Sequence, residues 1–196
     1  MPVFLSEFRS PNEFPFHEIN FNERARFRNP EIYDCAMEAV ASWSGVEKAM
    51  LQLYVFLVRG NSDRAAASIM AVNDFRTKCF IVAAAAKGAI SERRFETLKK
   101  LLSVALKSKR RSDLLTSWTW GYSDALPDAL LLVAPTIDSL DAVSTRDVLV
   151  YPKRDIENMK SENSRITEYL QAYKRIALLE GDREEANERL FEWLER

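Results

Sequence analysis

The sequence predicts a mostly all-α fold: a helical bundle of one domain, with a small β-hairpin inserted before the C-terminal helices and an irregular N-terminal arm. Three observations predict it. Only 5 glycines and 7 prolines punctuate 196 residues, which favours long helices over a strand-and-turn architecture. Most of the chain repeats apolar residues at three- and four-residue steps, the period of an amphipathic helix. Two short apolar runs near residues 130 and 150 are bracketed by prolines, as strands or buried turns are.

Residues 1–29 carry six of the eleven phenylalanines with Pro2, Pro11 and Pro15, and hold no sustained period. So much aromatic surface is costly in water. The arm is therefore expected to lie across a surface, either that of its own bundle or that of a second subunit.

Residues 30–121 form the predicted core bundle. Asn29, Pro30 and Glu31 make a helix start: a capping side chain, a proline in the first turn and an acid near the positive helix end. From there Ile32, Ala36, Val40, Trp43, Met50, Leu53 and Leu57 mark a first helix over about residues 30–59, closed at Gly60. Asn61 or Ser62 caps a second, whose stripe of Ile69, Val72, Phe75, Cys79, Val82 and Ala86 runs to Gly88, a residue suited to a helix end. Ser91 caps a third that turns Phe95, Leu98, Leu102 and Ala105 inward and reaches about Thr116.

Residues 122–151 are predicted to be irregular, with a β-hairpin built from Ala129–Ala134 and Asp147–Tyr151; the first run also fits a buried helical turn. Residues 152–196 return to the helical period through Ile156, Met159, Ile166, Leu170 and Tyr173. A last helix from Asp182 shows Ala186, Leu190 and Trp193 on one face, and these helices are expected to pack on the same domain.

Charge and cysteine usage narrow the function classes. A net charge of −1 supplies no global attraction to nucleic acid or anionic lipid, so such binding would have to be local. Cys35 and Cys79 lie in helical stretches, and reduced thiols in a cytoplasm are expected. No basic start followed by an apolar run opens the chain, and its longest apolar stretch, Cys79–Ala86, is too short to span a bilayer. Neither a signal peptide nor a membrane partner is expected.

Chemistry-bearing motifs are few. His17, the sole histidine, has no metal-type ligand at a useful spacing, so neither a metal nor a cofactor is predicted. Phosphate-binding glycine loops, Cys-x-x-Cys pairs and nucleophile elbows are missing from the sequence. Two charges occupy positions where the helical stripe calls for apolar groups, Glu47 between Trp43 and Met50, and Arg76 between Val72 and Cys79. A buried charge needs a partner, so a contact between the two, or one of either with Arg111, Asn73 or Asp74, is expected. The alternatives are a stripe edge that reaches solvent and a ligand-binding network.

The third helix holds eight basic side chains against two acids over residues 91–111. Steps of seven, seven and four bring Arg93, Lys100, Lys107 and Arg111 near one face, and Trp118, Trp120 and Tyr122 follow. Such a stripe suits phosphate contacts and the aromatics suit base stacking. A solvated face and core-packing tryptophans explain the same residues.

Three segments, Trp43–Glu47, Asn73–Lys78 and Arg111–Gly121, give the chain a likeness over about residues 40–135: it resembles bacterial helical proteins related to the HEPN superfamily. The resemblance implies a bundle of two long helices with shorter flanking ones, often paired as a dimer. Active members are metal-independent ribonucleases whose arginine contacts phosphate and whose nearby histidine moves a proton. Arg111 matches the arginine and Asp113 a polar position after it, while the histidine position falls on Thr116 or Ser117. An alcohol cannot replace an imidazole titrating near pH ~6.5. The resemblance therefore implies a degenerate motif without ribonuclease activity. The expected function is a non-catalytic binding or assembly module, homodimeric, with Glu47, Arg76, Arg111, Lys100, Lys107, Trp118 and Trp120 as candidate binding residues. An RNA-binding protein or ribonuclease, and an immunity- or antitoxin-type protein partner, are the alternatives.

Overall fold

The computed structural model describes residues 2–8, 19–21, 25–135, 144 and 146–178. Strand β1 (Val3–Phe4) leads into α1 (Leu5–Phe8), and α2 (Ala25–Arg28) precedes the long α3 (Pro30–Val58). Then come α4 (Ser62–Met70), α5 (Phe75–Ala86), α6 (Glu92–Ser117), β2 (Thr119–Gly121), β3 (Ala129–Val133), β4 (Val148–Pro152) and α7 (Lys153–Leu178). The protein is mostly helical with one small antiparallel sheet. Among the described residues no helix is long and apolar enough to cross a membrane.

Helix ends follow local chemistry. Asn29 Oδ1 accepts the Ile32 amide at 3.3 Å and starts α3; Asn61 Oδ1 accepts the Arg64 amide at 2.9 Å and starts α4. The single second helix expected from the stripe is two helices. Asp74 breaks it, because its carboxylate accepts both the Thr77 amide (2.7 Å) and the Thr77 hydroxyl (2.6 Å) and so caps a new helix. Those bonds also hold the Asp74 carboxyl below its ordinary pKa.

Two compact units divide the chain, and α3, α6 and α7 each contribute residues to both. The first comprises Met1–Ala41 and Arg110–Ser161. Its sheet has the order β1-β4-β3-β2, with every pairing antiparallel. The predicted hairpin is present as β3 and β4, paired from Ala129↔Pro152 to Val133↔Val148. Alternate residues serve two cores. Leu130, Leu132, Leu149 and Tyr151 pack on Ile32, Ala36, Leu115, Ile156 and Met159; Leu131, Val133, Val148 and Val150 pack with Leu5, Leu126 and Ala129 on the other face. A sheet covered on both faces reads as an unbroken apolar run, as these strands do.

The N-terminal arm supplies much of that second cover. Val3 pairs with Val150 and Phe4 with Leu149, Asn20 bridges to Tyr122, and Ile19 and Phe21 rest against the cluster. Residues 3–5 and 19–21 thus dock within their own chain, on the sheet, and the arm is more regular than the sequence predicts. Strand β2 was also unforeseen: three residues are too few to show a period, and pairing with β3 decides them.

The second unit comprises Ser42–Lys109 and Glu162–Arg196. One apolar core joins all its described helices, from Trp43, Val46, Met50 and Leu53 of α3 to Phe75, Cys79 and Val82 of α5, Leu98, Leu101 and Ala105 of α6, and Ile166, Leu170 and Tyr173 of α7. Within it Asn163, wholly buried, ties three helices: its Nδ2 donates to Ser42 Oγ at 2.9 Å, and Ser108 Oγ donates to its Oδ1 at 2.6 Å. Gly45 allows close approach to Thr167. The predicted helix from Asp182 and His17 lie outside the described residues.

Candidate binding groove

On α3 the buried stripe of Val46, Ala49, Met50 and Leu53 leaves Ser44, Glu47 and Lys48 on its flank, outside the core. Helix α4 ends with Ile69 turned inward and Met70 outward; the Asp74 break then restarts the chain so that Lys78 occupies the first turn of α5. Ser44, Glu47, Lys48, Met50, Leu51, Ile69, Met70 and Lys78 line an open groove of about 310 Å³ in the second unit. Met50 and Ile69 are 1% and 2% exposed and make an apolar floor, whereas Met70 stands 65% exposed at its edge. A contact between Tyr54 Oη and Ser68 Oγ (3.3 Å) links α3 to α4.

The lining sets what the groove can do. Lys48 and Lys78 bring two ammonium groups and Glu47 one carboxylate around an apolar floor that includes Leu51. Apolar contact with flanking charge orients a ligand; it does not by itself supply a nucleophile and base. The thiols do not add one. Burial pushes Cys79 up to about 12, and burial, then the Glu157 charge, raises Cys35, so both stay protonated near neutral pH. Among the described residues no group of three or more His, Cys, Asp or Glu is placed to hold a metal ion.

The sequence-predicted residues scatter. Glu47 lines the groove but is exposed, not buried in the stripe. Arg76 is exposed too, its guanidinium 5.8 Å from the Phe80 ring centroid, and it does not line the groove. Both charges sit at stripe edges that reach solvent, which is one of the arrangements expected of them; they are not a buried pair, and the charge of Arg76 acts on Asp74, whose carboxyl it helps to hold down. In the same unit Lys100 and Lys107 are exposed on α6.

The remaining candidates belong to the first unit. Arg111 is half-buried in α6. The Thr116 hydroxyl faces the Ser112 and Asp113 carbonyls at 3.3 and 3.2 Å, and Ser117 Oγ donates to Asp113 O at 2.6 Å, so both serve their own helix. Trp118 and Trp120 pack against the helix-facing core; Trp120 Nε1 donates to Leu115 O at 2.7 Å and its ring meets Tyr33 edge-on at 4.9 Å. Both are half-buried at the edge of that core.

Sequence reasoning missed Lys48, Lys78 and Met70. Two signals marked Lys48 and Met70, the charged pair Glu47-Lys48 at a stripe edge and an outward methionine just before a capping break, while Lys78 carried none. Neither of those says that helices would meet there. The chain matches no protein-family model, no curated protein and no solved structure.

Proposed function

We propose that this protein is a non-catalytic binding module, acting in the cytoplasm as a homodimer, and that the groove of its second unit takes the ligand. The observation that carries the reading is Met70, two-thirds exposed beside a floor of Met50 and Ile69. Exposed apolar surface rimmed by charge is the composition of an interaction site. The degenerate Arg111 motif of a HEPN-like relative fits the same reading, because Thr116 and Ser117 lack a side chain suited to proton transfer near neutral pH.

Titration of the full chain with Nile red, an uncharged apolar dye, tests the groove. Fluorescence should rise on binding, and Met70→Asp with Leu51→Asp should weaken that binding about tenfold or more, while circular dichroism stays that of the parent. Dye binding that ignores both substitutions would remove the groove from the reading. A second reading, RNA binding, draws on the exposure of Arg93, Lys100 and Lys107 along α6. If it holds, Lys100→Gln with Lys107→Gln should lower the salt dependence of binding to single-stranded RNA, by about 0.7 in log–log slope per lost phosphate contact.

A further inference from the structure

We infer that the outer face of α3 is the seam along which two copies of this chain pair, running antiparallel about a twofold axis between Glu47 and Lys48. The inference rests on the homodimer reading and goes beyond it in naming the interface and its direction. Periodicity is the first argument. The buried stripe of α3 passes through Ala39, Trp43, Val46, Met50, Leu53 and Leu57. On the opposite side Met37, Ala41, Ser44, Lys48 and Leu51 follow at steps of four, three, four and three, with Val58 seven further on. Steps that average about 3.5 residues keep side chains on one seam along a helix, as pairing with a second helix requires. All of these but the half-buried Leu51 are exposed, Met37 at 58% and Val58 at 42%.

The order of residues along the seam is the second argument. A twofold interface has to complement itself: what one residue meets in the partner, its counterpart meets in return. Read in opposite directions from its centre, the seam does so. Glu47 and Lys48 stand together there, and neither makes an ion pair with a described residue. Antiparallel pairing sets Glu47 against the partner's Lys48 and Lys48 against the partner's Glu47, whereas parallel pairing would set like charges against each other. Ser44 and Leu51 lie three residues to either side of that central pair, and Met37 and Val58 lie ten. The small Ser44 thus leaves room for the partner's Leu51, and Met37 covers the partner's Val58. Ser44, Glu47, Lys48 and Leu51 also line the groove, so the pairing sets a second copy at its rim.

Light scattering on the full chain over a range of concentrations tests the pairing. Lys48→Glu alone, or Glu47→Lys alone, gathers four like charges at the axis and should raise the dimer dissociation constant about tenfold or more. Combining the two substitutions in one chain should restore the parent value. The ends of the seam report its direction. Met37→Glu with Val58→Lys sets opposite charges together in an antiparallel pair, and should dimerise at least about tenfold more tightly than Met37→Glu with Val58→Glu. A parallel pair would treat those two proteins alike. All four side chains lie outside the core, and unchanged circular dichroism confirms that each variant folds. A monomeric parent overturns the inference and the homodimer reading together. A dimer that every variant leaves intact keeps the homodimer reading and overturns the seam. Loss of the dimer in the single charge variants without recovery in their combination overturns the central pairing, and equal dimerisation of the two end variants overturns the antiparallel direction.

Discussion

Asn163 shows what a single side chain decides. It falls on the α7 stripe between Met159 and Ile166, where the period calls for an apolar residue, and it is fully buried. Its amide group is matched on both sides, by Ser108 and Ser42. Removing it leaves the Ser108 hydroxyl enclosed without that acceptor, so Asn163→Ala should destabilise the protein by about 2–3 kcal/mol, from two lost hydrogen bonds and an unmatched buried donor. Ser108→Ala should cost less, about 1 kcal/mol, and the two should not add. Urea unfolding of both variants and their combination checks this. The polar break in the stripe is legible in the sequence, as is Ser108 in that of α6. Its partners are not, since 55 residues separate the two ends of the Ser108 bond. Charged anomalies are the more conspicuous signal, yet Glu47 and Arg76 both reach solvent. A long flexible side chain at a stripe edge escapes burial where a short amide in its centre cannot.

At the scale of elements, the arm and the sheet depend on one another. Gly121 in β2 faces the Phe21 ring so closely that an added Cβ would overlap it. Gly121→Val should therefore displace Phe21 and uncover the face formed by Leu131, Val133, Val148 and Val150. Hydrogen exchange should quicken at the amides of β3 and β4 while those of α5 keep their protection. Protection unchanged in the strands would mean that Phe21 adds nothing to their cover. The phenylalanine content of the first 29 residues announces docking, whereas its target is set by pairing of Val3 and Phe4 with β4. Two residues carry no readable strand signal. In the first unit α3 and α7 run parallel, as Glu31 with Lys153 (3.1 Å) and Glu38 with Lys160 (2.6 Å) show by advancing together. These pairs are exposed and contribute little stability; they mark register.

For the molecule as a whole, size-exclusion chromatography with light scattering should give twice the mass of one chain at tens of micromolar protein. One feature motivates a homodimer: large apolar side chains left in the open, among them Met37 at 58%, Met70 at 65% and Phe80 at 63% exposed. A monomeric mass at that concentration would refute it and leave those side chains as isolated surface residues.

The sequence by itself determined where helices form and roughly where they stop, because helical period and capping act over three or four residues and are written locally. It determined the apolar character of β3 and β4 for the same reason. Even the split between α4 and α5 was written there, in Asp74 followed three residues later by Thr77, although the unbroken apolar stripe across it pointed the other way. Only the tertiary structure decided that β1 and β2 exist, that Asn163 meets Ser42 and Ser108, and that Glu47, Lys48 and Lys78 surround one apolar floor. Each of those is a meeting of residues far apart in the chain, and such a meeting is selected by how well whole surfaces pack, which no local pattern encodes.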